Sequence, residues 1–197
     1  MTSTINTHLW YPWILPGHKG REIGDTQVIQ HIIRMTIPSK KPCRLLDTDG
    51  ANTDRLYEAV RYNPQVQGTG LLQKPAAATA DKTPIDREQQ IALIATDILQ
   101  YRAAPEFDVI YLFESLARMQ AHTRKSILQY CRMLLKPGGR IVTAAAGNDP
   151  NAALQTDDIK KTMLAAGLYT ICCRRLTGTL QLVTAQRPLP RNGEFNF

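Results

Sequence analysis

The sequence predicts an α/β fold: a three-layer sandwich around a mostly parallel seven-stranded sheet that ends in an antiparallel hairpin. Three observations carry this. Short apolar runs alternate with amphipathic helical stretches along most of the chain, the pattern of a parallel sheet covered by helices on both faces. The stretch Thr123–Lys136 holds Ile127, Leu128, Cys131, Leu134 and Leu135 on one stripe, a helix with a single buried face. Near the C-terminus, Leu168–Leu176 and Thr179–Ala185 are two apolar runs separated only by a tight Thr177-Gly178 join, which reads as a hairpin.

The elements follow in order. Ile23–Ile37 places Val28, Ile29, Ile32, Ile33 and Met35 at helical spacing, with Asp25 as its N-cap and Pro38 as its stop. Cys43–Asp47 is a short buried strand, followed by the polar turn Asp49-Gly50-Ala51-Asn52. Thr53–Tyr62 is a helix with Leu56, Tyr57 and Val60 on one face, and Gln65–Leu72 a second strand diluted by Gly68 and Gly70. Lys74–Ile85 is rich in Pro, Ala and Thr and reads as an irregular excursion. Ile91–Thr96 and Phe107–Leu112 are the third and fourth strands. Pro137-Gly138-Gly139 stops the helix after them, Arg140–Ala145 is the fifth strand and Asp157–Ala166 the last helix before the hairpin. Three regions result: an aromatic and basic arm over residues 1–22, a single domain over 23–188, and a tail over 189–197.

Hydrophobic residues make up 43% and charged residues 21% of the 197, the balance of a globular protein that builds its core without disulfides or a structural metal. No stretch reaches the apolar length of a membrane span. The formal charge is +7 and is uneven. Residues 1–42 carry net +3, residues 43–106 net −2, residues 107–146 net +4 and residues 147–197 net +2. The basic excess lies outside the acidic segment and suits a nucleic acid through its phosphates, an acidic protein or an anionic membrane surface equally well. No aromatic RNA-binding motif is present.

Cys43, Cys131, Cys172 and Cys173 form no CxxC, and no His pair has zinc-ligand spacing. All four read as reduced thiols, with Cys43, Cys131 and one of the adjacent pair in the core. No metal is expected. The N-terminal segment lacks a secretory pattern, so the expected location is intracellular and reducing, cytoplasmic or alternatively mitochondrial.

Two stretches carry a resemblance. Phe107-Asp108-Val109-Ile110-Tyr111-Leu112 is followed by Cys131-Arg132-Met133-Leu134-Leu135-Lys136-Pro137-Gly138-Gly139-Arg140-Ile141-Val142. This pairing resembles the fourth strand, the helix after it and the fifth strand of the class I (seven-stranded, Rossmann-like) S-adenosylmethionine (SAM)-dependent methyltransferases. The resemblance covers Pro42 to Pro188. It implies SAM as cofactor, held beyond the carboxyl ends of the strands. It places Asp47, Thr48, Asp49, Gly50 and Asn52 in the first loop against the methionine part of SAM. Gly70 falls at the end of the second strand, Asp97 and Ile98 lie beside the adenine, and Phe113 walls the methyl group. Glu114 is the candidate general base.

The chain also departs from that pattern. The family loop reads acid-x-Gly-x-Gly, whereas this chain has Asp47-Thr48-Asp49-Gly50-Ala51. Asp49 adds a Cβ and a negative charge where bare backbone meets the ligand. The family's ribose-binding acid is replaced by Gly70, and losing such a charged, bidentate bond costs about 1.5–3 kcal/mol. Asp47 can equally organise its own turn, Asp97 can cap one, and Glu114 is a first-turn acid favoured by the helix dipole. Two functions compete on these residues. One is a SAM-dependent methyltransferase of unidentified acceptor, acting by proximity and orientation. The other is a catalytically inactive methyltransferase-like structural or assembly subunit, with a protein partner held by the arm and tail.

Overall fold

The computed structural model describes residues 26–49, 53–72, 90–113, 116, 119–146, 156–177 and 180–190. In chain order the elements are α1 (Thr26–Thr36), β1 (Cys43–Asp47), α2 (Asp54–Tyr62), β2 (Val66–Leu72), β3 (Ile91–Ala95), β4 (Phe107–Tyr111), α3 (Ala121–Leu134), β5 (Leu135–Ala146), α4 (Thr156–Ala165), β6 (Tyr169–Thr177) and β7 (Leu180–Gln186). The Asp25 cap, the excursion Lys74–Ile85, Gly178, the arm and residues 191–197 lie outside the described residues.

The strands form one seven-stranded sheet in the order β3-β2-β1-β4-β5-β7-β6. β3, β2, β1, β4 and β5 run parallel. β7 enters antiparallel between β5 and β6. The sheet and its terminal hairpin are therefore those the sequence predicts. The order reverses between β1 and β4, and the carboxyl ends of these two strands are the switch point at which such sheets place their ligands.

The period-two alternation of the strands sorts side chains onto two cores. One face carries Leu46, Leu71, Ile110, Ile141 and Val183 and is covered by α3 and α4, which contribute Ile127, Leu128, Cys131, Ile159 and Met163. The other carries Leu45, Val66, Val109, Tyr111 and Val142 and is covered by Val28, Ile29, Ile32 and Ile33 of α1 and Leu56, Ala59 and Val60 of α2. At the end of α1 the Thr36 hydroxyl donates to the Ile32 carbonyl at 2.8 Å and pairs with the Tyr111 hydroxyl at 2.7 Å. The buried Asn63 amide donates to the carbonyls of Pro38 and Lys41 and accepts from the Gln65 N–H, tying the α1–β1 and α2–β2 connections together.

The largest difference from the sequence reading is at Pro137-Gly138-Gly139. Helix α3 ends at Leu134, and the turn-like triplet is part of β5. The pairing of β4 with β5 shifts register between Phe107 and Val109, so the extra residues form a bulge. Gly138 has φ +77°, and its N–H bonds the Arg187 carbonyl at 3.0 Å. A Cβ on Gly139 would lie 2.9 Å from the carbonyl oxygens of both Lys136 and Phe107. The glycines are there for the bulge and its close backbone approach.

Cys43 and Cys131 are buried, Cys172 is exposed and Cys173 is half-buried; all four are free. Burial pushes the Cys43 and Cys131 thiols up to about 12, with Asp108 adding to the shift at Cys43. Alkylation of the native protein near pH 8 is therefore expected at Cys172 first. Cys43 and Cys131 should react only after unfolding, as peptide mass mapping would show. Since their folded pKa values are raised, the stability these neutral thiols provide is complete below their ordinary value of 9.0. It is lost as pH climbs from there through about 12.

Candidate functional site

The switch point between β1 and β4 is built around Asp47, the last residue of β1. Its side chain is fully buried and so is that of Arg55, from the first turn of α2. Arg55 Nε donates to Asp47 Oδ2 at 2.7 Å, and its Nη2 donates to Asp47 Oδ1 at 3.2 Å. The same Nη2 reaches the Asp49 carbonyl at 3.2 Å. Asp47 Oδ1 also accepts the Asp49 N–H at 2.9 Å. Both carboxylate oxygens are thus engaged from within the chain, in the fork geometry that suits arginine to a carboxylate. The guanidinium carbon sits 5.3 Å from the centroid of the Phe113 ring. That ring packs in turn on Tyr111 at 5.4 Å. Cation–π contact and ion pairing together offset the cost of burying the charge.

Thr48 stitches the loop to β4: its N–H and its hydroxyl both donate to the Tyr111 carbonyl, at 3.1 Å and 3.0 Å. Asp49 is buried as well. Gly50, Asn52 and Glu114 lie outside the described residues.

The structure brings Asp47, Thr48, Asp49 and Phe113 together at this edge and treats the other predicted residues differently. Gly70 pairs in register with Asp47, but β2 continues two residues further to Leu72. The carboxyl end of β2 is therefore Leu71-Leu72, both apolar, rather than Gly70. Asp97 is exposed. Its Oδ1 accepts the Leu99 N–H at 2.8 Å, and its carbonyl accepts from the N–H groups of Gln100 and Tyr101. It is the hinge of a turn. The Ile98 side chain is buried in the core on the α3 and α4 face. Phe113 is only 1% exposed, so it is a packing residue here, not an open wall.

The residue that sequence reading missed is Arg55. Its signal is its place one turn before Ala59, on the buried stripe of α2. A cation on that stripe requires a buried anion. Among the described residues no cluster of His, Cys, Asp and Glu has the arrangement of a metal site, and no helix is long and apolar enough to cross a membrane. A groove of about 600 Å³ lies between α3, the end of α4 and the turn after β3; Leu99, Tyr130, Met133 and Gly167 line it, and none of the Asp47 cluster does.

The strand order, with its reversal at β1/β4 and its antiparallel terminal pair, defines a Rossmann-like methyltransferase-type fold. No protein-family model matches the chain, and no curated protein matches it. Solved structures of SAM-dependent methyltransferases and related proteins do match in fold. One is a candidate O-methyltransferase of Nostoc punctiforme, with TM-score 0.69, 15% identity and coverage of 82% of this chain and 56% of that one. Human N-acetylserotonin methyltransferase in complex with SAM has TM-score 0.64, 15% identity and coverage of 84% and 52%. The cyclase SpnF has TM-score 0.66, 16% identity and coverage of 84% and 81%. The chain thus spans about half the length of the first and second of these three proteins. The same fold serves methyl transfer in one neighbour and cyclisation in another, so the site and not the fold decides function.

Three described features depart from the family pattern, while Gly50, Ala51 and Asn52 of the loop lie outside the described residues. Asp47 is paired with Arg55, Asp49 is buried where the family has bare backbone, and β2 ends in Leu71-Leu72.

Proposed function

We propose that this chain is a methyltransferase-fold protein that performs no methyl transfer of its own and serves as a structural or assembly subunit. One observation supports the reading: the buried Asp47–Arg55 pair engages both oxygens of the carboxylate that the resemblance sets beside the cofactor. Releasing it would expose one buried charge without its partner, a cost of about 3–5 kcal/mol. That is comparable to the whole of a millimolar affinity, about 4 kcal/mol, so a ligand that needed this carboxylate free would be weakened by about that much. The basic excess outside residues 43–106 supports an acidic macromolecular partner, with the arm and the tail as the segments that would grip it. Four free thiols support a reducing intracellular compartment, cytoplasmic or mitochondrial.

The competing reading is a SAM-dependent methyltransferase. It is favoured by the placement of Asp47, Thr48 and Phe113 at the switch point between β1 and β4. Calorimetric titration with SAM and with S-adenosylhomocysteine separates the two. The expected result is no heat of binding and no thermal shift at millimolar ligand. A dissociation constant in the low micromolar range for either ligand would reverse the assignment in favour of the enzyme.

A further inference from the structure

Among the described residues, β3 (Ile91–Ala95) lies at the edge of the sheet, with β2 as its one strand neighbour. The Gly68 N–H of β2 bonds the Gln90 carbonyl at 2.7 Å, and Gly68 is level with Ile91. In a parallel ladder, alternate residues turn both backbone groups to the same side. Ala92 and Ile94 therefore share the inward direction of Gln90, while Ile91, Leu93 and Ala95 present their N–H and C=O groups outward. The side chains are open too: Ala92, Leu93, Ile94 and Ala95 are all exposed, Leu93 at 38% and Ile94 at 37%. Proteins guard such an edge with charge, proline or a bulge. The run Ile91-Ala92-Leu93-Ile94-Ala95-Thr96 has no charge and no proline, and its pairing with β2 has no register shift.

We propose that β3 is a homodimerisation edge, on which a second copy of this chain lays its own β3 antiparallel, across a two-fold axis through Leu93. The register follows from the backbone. Outward groups must meet outward groups, so Ile91, Leu93 and Ala95 pair with one another across the axis. Maximal overlap sets Ile91 against the second copy's Ala95 and Leu93 against the second copy's Leu93. This register is also self-complementary in side-chain size. On one face Ile91 meets Ala95 and Leu93 meets itself; on the other Ala92 meets Ile94. Every isoleucine faces an alanine, so the cross-strand pairs fit without crowding or gaps. That self-complementarity is what a closed, isologous interface requires, and a strand from an unrelated protein would have no need of it. The two seven-stranded sheets become one continuous sheet, and its edges are then the two β6 strands. The inference rests on the edge strand alone, and holds whether or not SAM binds.

The test is sedimentation velocity of the full chain across the micromolar range. The wild type is expected to sediment at twice its 22.1 kDa mass. Leu93→Lys and Leu93→Glu should each be monomeric alone, because the axis sets each new charge against its own copy. An equimolar mixture of the two should recover the dimer. Leu164→Lys, an exposed position on α4, should leave the dimer intact. A monomeric wild type, a dimer that survives Leu93→Lys, or a mixture that stays monomeric would each overturn the proposal. Circular dichroism of the charged variants checks that they keep the wild-type fold.

Discussion

Arg55→Ala is expected to lower the stability of this protein by about 3–5 kcal/mol, because it leaves the Asp47 carboxylate buried without a cation. Both side chains are almost fully excluded from solvent, so water cannot replace the guanidinium without opening the loop. The change also removes the donor to the Asp49 carbonyl and the cation over Phe113. Urea denaturation reads the loss directly. A decisive companion is the double replacement Asp47→Leu with Arg55→Met, which removes both charges at similar volume. It should recover most of the loss, since an apolar pair often matches a buried ion pair. The Asp49 N–H, left without its acceptor, would account for a shortfall of about 1–3 kcal/mol. If Arg55→Ala costs under about 1 kcal/mol, the range of an exposed ion pair, the pair is not the clasp described above.

Phe113→Ala is the second large effect, a loss of about 3–5 kcal/mol from the cavity it would leave. For a domain of this size that corresponds to a fall in melting temperature of roughly 6–20 °C. Phe113 is buried between Tyr111 and the Arg55 guanidinium. Its truncation therefore removes the aromatic contact, the cation–π contact and the floor under the ion pair. A ring that merely bordered an open ligand pocket would already be partly in water and would cost far less. Differential scanning calorimetry distinguishes the two, and a melting temperature within a few degrees of wild type would return Phe113 to the pocket wall.

The fold was largely legible in the sequence. Strands such as Cys43–Asp47 and Phe107–Tyr111 stand out because central parallel strands are apolar on both faces. Helices α1 and α3 stand out because each buries one stripe. The triplet Pro137-Gly138-Gly139 misled because the same residues that end a helix also build a bulge. Only its pairing with Phe107 and Arg187 tells which. The site was less legible. Asp47 was visible as an acid at a strand end, but its partner was not, since Arg55 looks like any helix-surface cation until the packing of α2 turns it inward. At Asp97 the sequence allowed either ligand contact or a cap, and the exposed carboxylate bonds the Leu99 N–H. The resemblance set Gly70 at the end of the second strand, and in the structure it is level with Asp47, two residues before the strand ends at Leu72.

By itself, then, the sequence determined the order of elements, the parallel sheet with its terminal hairpin, and the departures from a glycine-rich loop. Each of these is a local pattern: apolar period, turn chemistry, or a residue type at a position. Only the tertiary structure decided that β1 and β4 are neighbours at the switch point, that Arg55 closes on Asp47, and that β3 faces solvent at the edge. The physical reason is the same in each case. A residue's period reports whether it is buried. Which distant group satisfies a buried charge, or which strand covers an edge, depends on how the whole sheet is ordered.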